Sequence, residues 1–526
     1  MSGSERTVAT CCLHVSPPVH ESRGQAGSSH APSVRLRGQD RAPIVDAVAD
    51  CVRRQIYPFH TPGHKGGRFV PSELLAAWGE RTLACDLPAM TATDNTLHPT
   101  GCVRDAQDLA AKLFGARETF FLVGGASQGI AAMVLAAAGP GQTIVLPRNV
   151  HRSVASALVL SGARPRFVPQ AVLPECGALA FSASDLDAVL AEEPTPSAVL
   201  ITRPSYYGLA ADLADIVRVC HARGVPLLVD EAHGSHLKFL PPGGPQPALE
   251  AGADVVVQSC HKTLGSLVGT AMLHVGHASH VDAARVRDCL NLLQSTSPNY
   301  LMLASLDAVR RHMSRNGGEL FARAVERARG LADELAAILG VHALRPATDP
   351  RLEGYRSDPL RIVVNVAQTG WTGYEVEKFL RTEYQVEDEF ADYFNVVLVL
   401  SPGDDEAARE RLVEGFRAVS QRVRPAKDAA ALAGPHLLQP PIPPLVLSPR
   451  EAVLGPVRQV PLSDAMGAVI AETVTFYPPG IPLFMPGERI TPETTLVCEE
   501  HLAAGAHCYA SDTTLATVKI VAANGI

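Results

Sequence analysis

At 526 residues, with 46% apolar and 19% charged side chains, the chain can hold a large globular enzyme core with one or two smaller domains. A net charge of −8 gives no basis for nucleic-acid binding and favours cationic ligands. The 11 cysteines, apart from the Cys11-Cys12 doublet, are scattered without paired CxxC or disulfide-framework spacing, which fits a reducing cytoplasm, and no apolar run approaches the roughly 20 residues that span a bilayer.

Residues 1–40 are rich in Ser, Gly, Pro and Arg, and His, Ser and Pro interrupt any h-region, so a loose tail without a secretory leader is expected. From Thr119 to Val275 short apolar runs alternate with helical patterns. Thr119-Val123, Thr143-Leu146, Ala198-Ile201, Pro226-Val229, Asp254-Val257 and Thr270-Val275 read as buried strands. Ser184-Leu190 and Asp212-Arg223 between them read as amphipathic helices. The alternation predicts an α/β fold with a mostly parallel sheet covered on both faces, whose ligands gather at the carboxyl ends of the strands.

Further on, Pro298-Arg315 and Gly318-Leu339 read as helices, Arg361-Val366 and Val396-Leu400 as strands, and Asp404-Val423 as a helix. They form a smaller α/β domain. Residues 426–448 are Ala- and Pro-rich and read as a linker. The stretch beyond contains Tyr477-Pro478-Pro479-Gly480-Ile481-Pro482 and Pro486-Gly487-Glu488, which implies fixed turns rather than helix. The expected organisation is therefore a tail (1–40), an N-terminal arm with a large domain (41–300), a small domain (301–425), the linker, and a C-terminal domain (449–526). No internal repeat is visible.

Four strand ends carry chemistry. Ser259-Cys260-His261-Lys262 follows Asp254-Val257, placing an amine among groups able to bind an anion; a lone lysine is otherwise a solvated charge. Asp230 closes Pro226-Val229 and opens Asp230-Glu231-Ala232-His233; a carboxylate there either caps a turn or serves a buried cation. Gly124-Gly125-Ala126-Ser127-Gln128-Gly129 lies between a strand and a helix running to Ala138. Its small residues and the helix N-terminus suit a phosphate, while the absence of Walker and GxGxxG spacing disfavours a nucleotide. Pro147-Arg148-Asn149-Val150-His151-Arg152-Ser153 brings His151, either a helix-start residue or a ring that stacks on a flat cofactor. A phosphate cradle, a stacking ring, a carboxylate for a pyridine nitrogen and an amine together describe a pyridoxal 5'-phosphate (PLP) site, in which the lysine pKa should be lowered.

With these residues in place, the chain resembles the fold-type-I PLP-dependent ornithine, lysine and arginine decarboxylases, in particular the shorter bacterial members. The resemblance rests on seven collinear segments: Phe59-His60-Thr61-Pro62-Gly63-His64-Lys65-Gly66-Gly67, His98-Pro99-Thr100-Gly101, Arg148-Asn149-Val150-His151, Asp230-Glu231-Ala232-His233-Gly234, Ser259-Cys260-His261-Lys262-Thr263, Ser295-Thr296-Ser297-Pro298 and Tyr477–Pro482. It implies a transferase-like large domain, a smaller α/β domain and a C-terminal domain of the decarboxylase type. It also implies Lys262 as the Schiff-base lysine, Asp230 as the pyridinium partner and His151 as the stacked ring. Ser127, Ser259 and His261 become phosphate contacts, aided by the Gly125-Ala126 backbone, and His233 lies beside a cofactor oxygen. Ala126 departs from the family's usual Ser or Thr, which removes a hydroxyl but leaves the backbone N–H.

The larger relatives' N-terminal wing domain has no counterpart in the loose tail, so the resemblance implies a homodimer or homotetramer rather than a decamer. Such assemblies share their active sites between subunits, with Phe59–Gly67 and Ser295–Pro298, including Thr296, as candidates for the shared wall. The implied reaction is decarboxylation of a basic amino acid, arginine first and lysine or ornithine next, in the cytoplasm. Glu387, Asp388 and Glu389 match a family segment near the substrate's distal end, Glu389 best by position; the alternative is a solvated charge run. An aminotransferase or aldolase sharing the fold and Lys262, and a non-catalytic regulatory relative, are the competing readings. The C-terminal Tyr477–Pro482 and Pro486–Glu488 pattern opposes the first, and retention of both Lys262 and Asp230 opposes the second.

Overall fold

Seven strands form the central sheet: β1 (Glu118–Leu122), β2 (Thr143–Leu146), β3 (Arg164–Phe167), β4 (Ala198–Thr202), β5 (Leu227–Asp230), β6 (Val255–Gln258) and β7 (Ala271–Val275). Their spatial order is β3-β2-β4-β5-β6-β7-β1. Only β7 runs against its neighbours, so the other six point their carboxyl ends to one edge. The period-two alternation of each strand supplies two cores. Leu200, Leu228, Val255 and Val257 pack on one face, and Val199, Ile201, Val229 and Val256 on the other. Burial on both faces is why these strands read as continuous apolar runs.

The computed structural model describes residues 38–173, 178–193, 195–344, 355–422, 424, 442–477, 480–503 and 505–522. Most of the expected tail with its Cys11-Cys12 doublet, most of the Ala/Pro-rich linker, and Pro478-Pro479 lie outside the described residues. The six strands expected from sequence occur with ends shifted by at most one residue. β3 was not expected: its exposed Arg164 and Arg166 alternate with buried Pro165, a pattern that only an edge strand tolerates.

Close approach of helix to sheet fixes the carboxyl edge. The Gly125–Ala137 helix lies so near that a Cβ on Gly129 would sit 2.6 Å from Val257 and 2.8 Å from Leu122. The two helices expected around 298–339 are one 37-residue helix, Tyr300–Ala336. Gly317 does not break it; its missing side chain makes room for the Phe239 ring, which a Cβ would meet at 2.6 Å.

A second, antiparallel sheet orders His342–Ala343, Arg361–Asn365, Asn395–Val399 and Phe390–Ala391, covered by the helix Glu406–Gln421. The C-terminal stretch pairs Val457–Pro461 with Thr517–Val521, and Val474–Tyr477 with both Pro482–Phe484 and His507–Tyr509. It also contains a 12-residue helix, Pro492–Ala503, against the expectation of turns alone. This helix begins beyond the Pro/Gly cluster, with proline at its first position, where no N–H is needed. Among the described residues no helix is long and apolar enough to cross a membrane.

Candidate active site

The carboxyl edge gathers most of the residues singled out by sequence. Asp230, the last residue of β5, is 2% exposed and its Oδ1 accepts the Ala232 N–H at 3.1 Å. Burial pushes its carboxyl up, while Lys262 pulls it down. Lys262 sits on the short helical turn Cys260–Thr263 that follows β6. Burial lowers its amine pKa, Asp230 and Glu389 oppose that shift, and Arg361 reinforces it. The lysine side chain is nonetheless exposed.

His151 caps the helix Arg152–Ser161: its Nδ1 accepts the Ser153 N–H at 3.2 Å and lies 2.7 Å from the Ser153 hydroxyl. The ring proton is thereby assigned to Nε2. Burial, then the Lys262 and Arg152 charges, pull its pKa down to about 4, so the imidazole is neutral at physiological pH. His151 is thus a helix-start residue, and the Lys262 charge acts on its ring. His233, 6% exposed, places Nε2 2.9 Å from Lys262 Nζ and Nδ1 2.8 Å from Arg361 Nη2.

Beneath His233, Glu231 is fully buried and accepts from Gln258 (2.7 Å), the Ala248 N–H (3.0 Å) and Arg203 (3.2 Å). Burial raises its carboxyl to about 7 against the pull of Arg203. Glu231 thus anchors the turn that presents Asp230 and His233.

At the phosphate end, the helix starts at Gly125, so Ala126 and Ser127 lie in its first turn rather than in a longer loop. The Gly125 N–H donates to the Gly269 carbonyl at 2.8 Å and is already used. Ala126 and Ser127 therefore supply the N–H groups that lack an intrahelical acceptor. Ser259 is 2% exposed at the end of β6. His261 donates from Nδ1 to the Thr270 carbonyl at 2.8 Å, which fixes its ring and requires the protonated form for any anion contact through Nε2.

Glu389 is brought to the group: its carboxylate lies 4.0 Å from Arg361 Nη1 and acts electrostatically on Lys262. Asp388 beside it has its carboxyl pushed up to about 7, chiefly by burial and then by Glu377. Glu387 is exposed, 3.8 Å from Arg381. Thr296 is exposed on the segment after the helix Ala283–Leu293, and among the described residues no contact joins it to Lys262, Asp230 or His151.

Sequence reasoning missed Arg361 and Tyr206, whose ring meets His233 edge-on at 5.4 Å. The available signal for Arg361 was a lone cation opening a strand whose next three residues are apolar. It also missed that Arg148 and Glu488, from two separate motifs, form a buried pair with Nη2–Oε2 at 2.9 Å.

Residues 42–408 match the Orn/Lys/Arg decarboxylase major domain, and residues 440–504 match the C-terminal domain of the same family. The chain belongs to the Orn/Lys/Arg decarboxylase family. An arginine decarboxylase of Halalkalibacterium halodurans is 36% identical over 486 residues, covering 92% of this chain and 98% of the relative. One from Bacillus subtilis is 36% identical over 485 residues with the same coverage of both. The fold is that of the crystal structure of the Francisella novicida lysine decarboxylase LdcF, with a TM-score of 0.79 at 19% identity over 91% of this chain and 81% of that one. The family match thus places the Lys262 cluster inside the decarboxylase major domain and Glu488 inside its C-terminal domain.

Proposed function

We propose that this chain binds pyridoxal 5'-phosphate through Lys262 and decarboxylates a basic amino acid, arginine ahead of lysine or ornithine. The observation that carries the reading is the meeting of the Lys262 amine, the buried Asp230 carboxyl and the neutral His151 ring at the carboxyl edge of one sheet. Arginine comes first because the relatives at 36% identity are named arginine decarboxylases, whereas the lysine decarboxylase LdcA of Pseudomonas aeruginosa is 25% identical.

The residues present fit the cofactor. A buried carboxyl raised by desolvation is stabilised in its charged form by a cation, and among the described residues Lys262 is the cation that acts on Asp230, so a pyridinium would suit it. The open space over Gly125, where a Cβ would meet nothing within 4 Å, and the first-turn N–H groups of Ala126 and Ser127 suit a phosphate, with Ser127, Ser259 and His261 as side-chain contacts. When bound, the cofactor supplies an electron sink for the pair released as the Cα–carboxylate bond breaks. Asp230 would hold the cofactor's ring nitrogen as its protonated form, His151 would lie against the ring without adding charge, and Lys262 and His233 are the groups placed to hold or move a proton. Glu389 pairs with the substrate's distal cation.

The reading includes a homodimer or homotetramer with shared sites, operating in the cytoplasm. Tyr57 (78% exposed), Phe59 (99%) and Phe69 (82%) put three open aromatic side chains on one arm, and grouped exposed apolar surface of this kind supports a covering subunit. The test is incubation of the purified protein and PLP with arginine, lysine or ornithine separately, following CO2 and the amine. Equimolar CO2 and amine is the expected result; a keto acid without CO2 would move the chain to the aminotransferases.

A further inference from the structure

We propose that Arg361 is a positioning residue that fixes the proton on His233 and thereby holds Lys262 as a neutral amine. The inference rests on reading Lys262 as the cofactor-binding lysine and adds how the protein keeps that lysine reactive.

An arginine side chain has donors only. Its Nη2 lies 2.8 Å from His233 Nδ1, so Nδ1 must present its lone pair. A neutral imidazole then carries its proton on Nε2, and that N–H faces Lys262 Nζ at 2.9 Å. Only the free amine can accept it. An ammonium would set two protons against each other, and an imidazolium would do the same towards Arg361. The neutral amine is also the nucleophilic form.

Arg361 is built into this place. It is 7% exposed, and its stem packs on Gly208, where a Cβ would lie 2.6 Å from Arg361 Cβ. Among the described residues its Nε and Nη1 make no hydrogen bond, with Glu389 4.0 Å from Nη1 and Asp358 acting on its charge, so the hydrogen bond from Nη2 to His233 is the directional contact of the guanidinium. The charges facing Lys262 are divided: Asp230 and Glu389 favour the ammonium, and Arg361 opposes it. His151 and His233 are both held uncharged, chiefly by burial. Burial favours the free amine and the two carboxylates oppose it; the N–H on His233 Nε2 adds a hydrogen bond that only the free amine can accept.

The measurement is competitive acetylation of Lys262 in the full-length protein freed of PLP, read by peptide mass spectrometry from pH 6 to 10. Arg361→Met should raise the Lys262 pKa by about one unit, which slows labelling at neutral pH about tenfold. Arg361→Lys, which still donates, should titrate near the parent protein. His233→Phe keeps the Arg361 charge and removes the relay, so a rise there separates the hydrogen-bond effect from charge alone; it also serves if Arg361→Met does not fold. Unchanged titration in Arg361→Met or His233→Phe, or an Arg361→Lys shift as large as that of Arg361→Met, overturns the inference. Borohydride reduction with PLP followed by peptide mapping tests the underlying reading separately. Label on another lysine would sink the cofactor assignment while leaving the amine titration standing.

Discussion

Replacing Glu488 with Ala should destabilise the protein by about 3–5 kcal/mol, the cost of leaving a buried charge without its partner. Glu488 is fully buried and accepts from both Arg148 terminal nitrogens and from the Met485 N–H at 2.7 Å. Without it, Arg148 (6% side-chain exposure) keeps only the Leu483 carbonyl at 2.7 Å and the face of Phe167, 5.0 Å from the ring centroid. Arg148→Met combined with Glu488→Leu removes both charges and fills the space. It should cost about 1–3 kcal/mol, for the backbone groups left unpaired. Arg148→Met alone leaves a buried carboxyl that can take a proton, so it should destabilise more at pH 8 than at pH 5. Urea denaturation followed by circular dichroism of Arg148→Met, Glu488→Leu and the double variant gives the cycle, and PLP titration reports whether the His151 loop loosens with it. A loss below about 1 kcal/mol for Glu488→Ala, or single effects that add to within about 0.5 kcal/mol in the double variant, would refute the coupling.

Lys262→Ala should abolish both the visible absorbance of the PLP-loaded protein and turnover; retention of both in purified protein would remove Lys262 from its role. Glu389→Ala should raise KM for basic substrates about tenfold, the worth of one charge-assisted hydrogen bond, with PLP affinity nearly unchanged. An unaltered KM would show that Glu389 does not meet the distal cation. Asp388, its carboxyl raised to about 7 in the fold, holds a proton that the unfolded chain releases near 4, so it costs stability as pH rises from about 4 to 7. Asp388→Asn should therefore raise Tm more at pH 8 than at pH 5, and a gain independent of pH would contradict the assignment.

Much of the fold was legible because its signals are local. Apolar runs end in Asp230, in Ser259-Cys260-His261-Lys262 and in Gly124-Gly125, and each break in periodicity marks the carboxyl edge on which the site stands. What could not be read depends on partners distant in the chain. Gly125 looked like a free phosphate donor until Gly269, on the neighbouring turn before β7, proved to hold its N–H. Arg361 looked like a strand residue because its reason for being there, His233, arrives from the other sheet. Two helices were expected on either side of Asn316-Gly317 because Phe239, which fills the space beside Gly317, is invisible from the helix's own sequence. Two motifs that stand apart in the sequence are joined in the same way. Arg148-Asn149-Val150-His151 and Pro486-Gly487-Glu488 are the two halves of one buried contact. Glu488 holds Arg148, and Arg148 opens the loop that delivers His151 to Lys262. A C-terminal turn motif that carries no reacting group therefore belongs with the site through packing: it fixes the backbone on which a site residue is mounted.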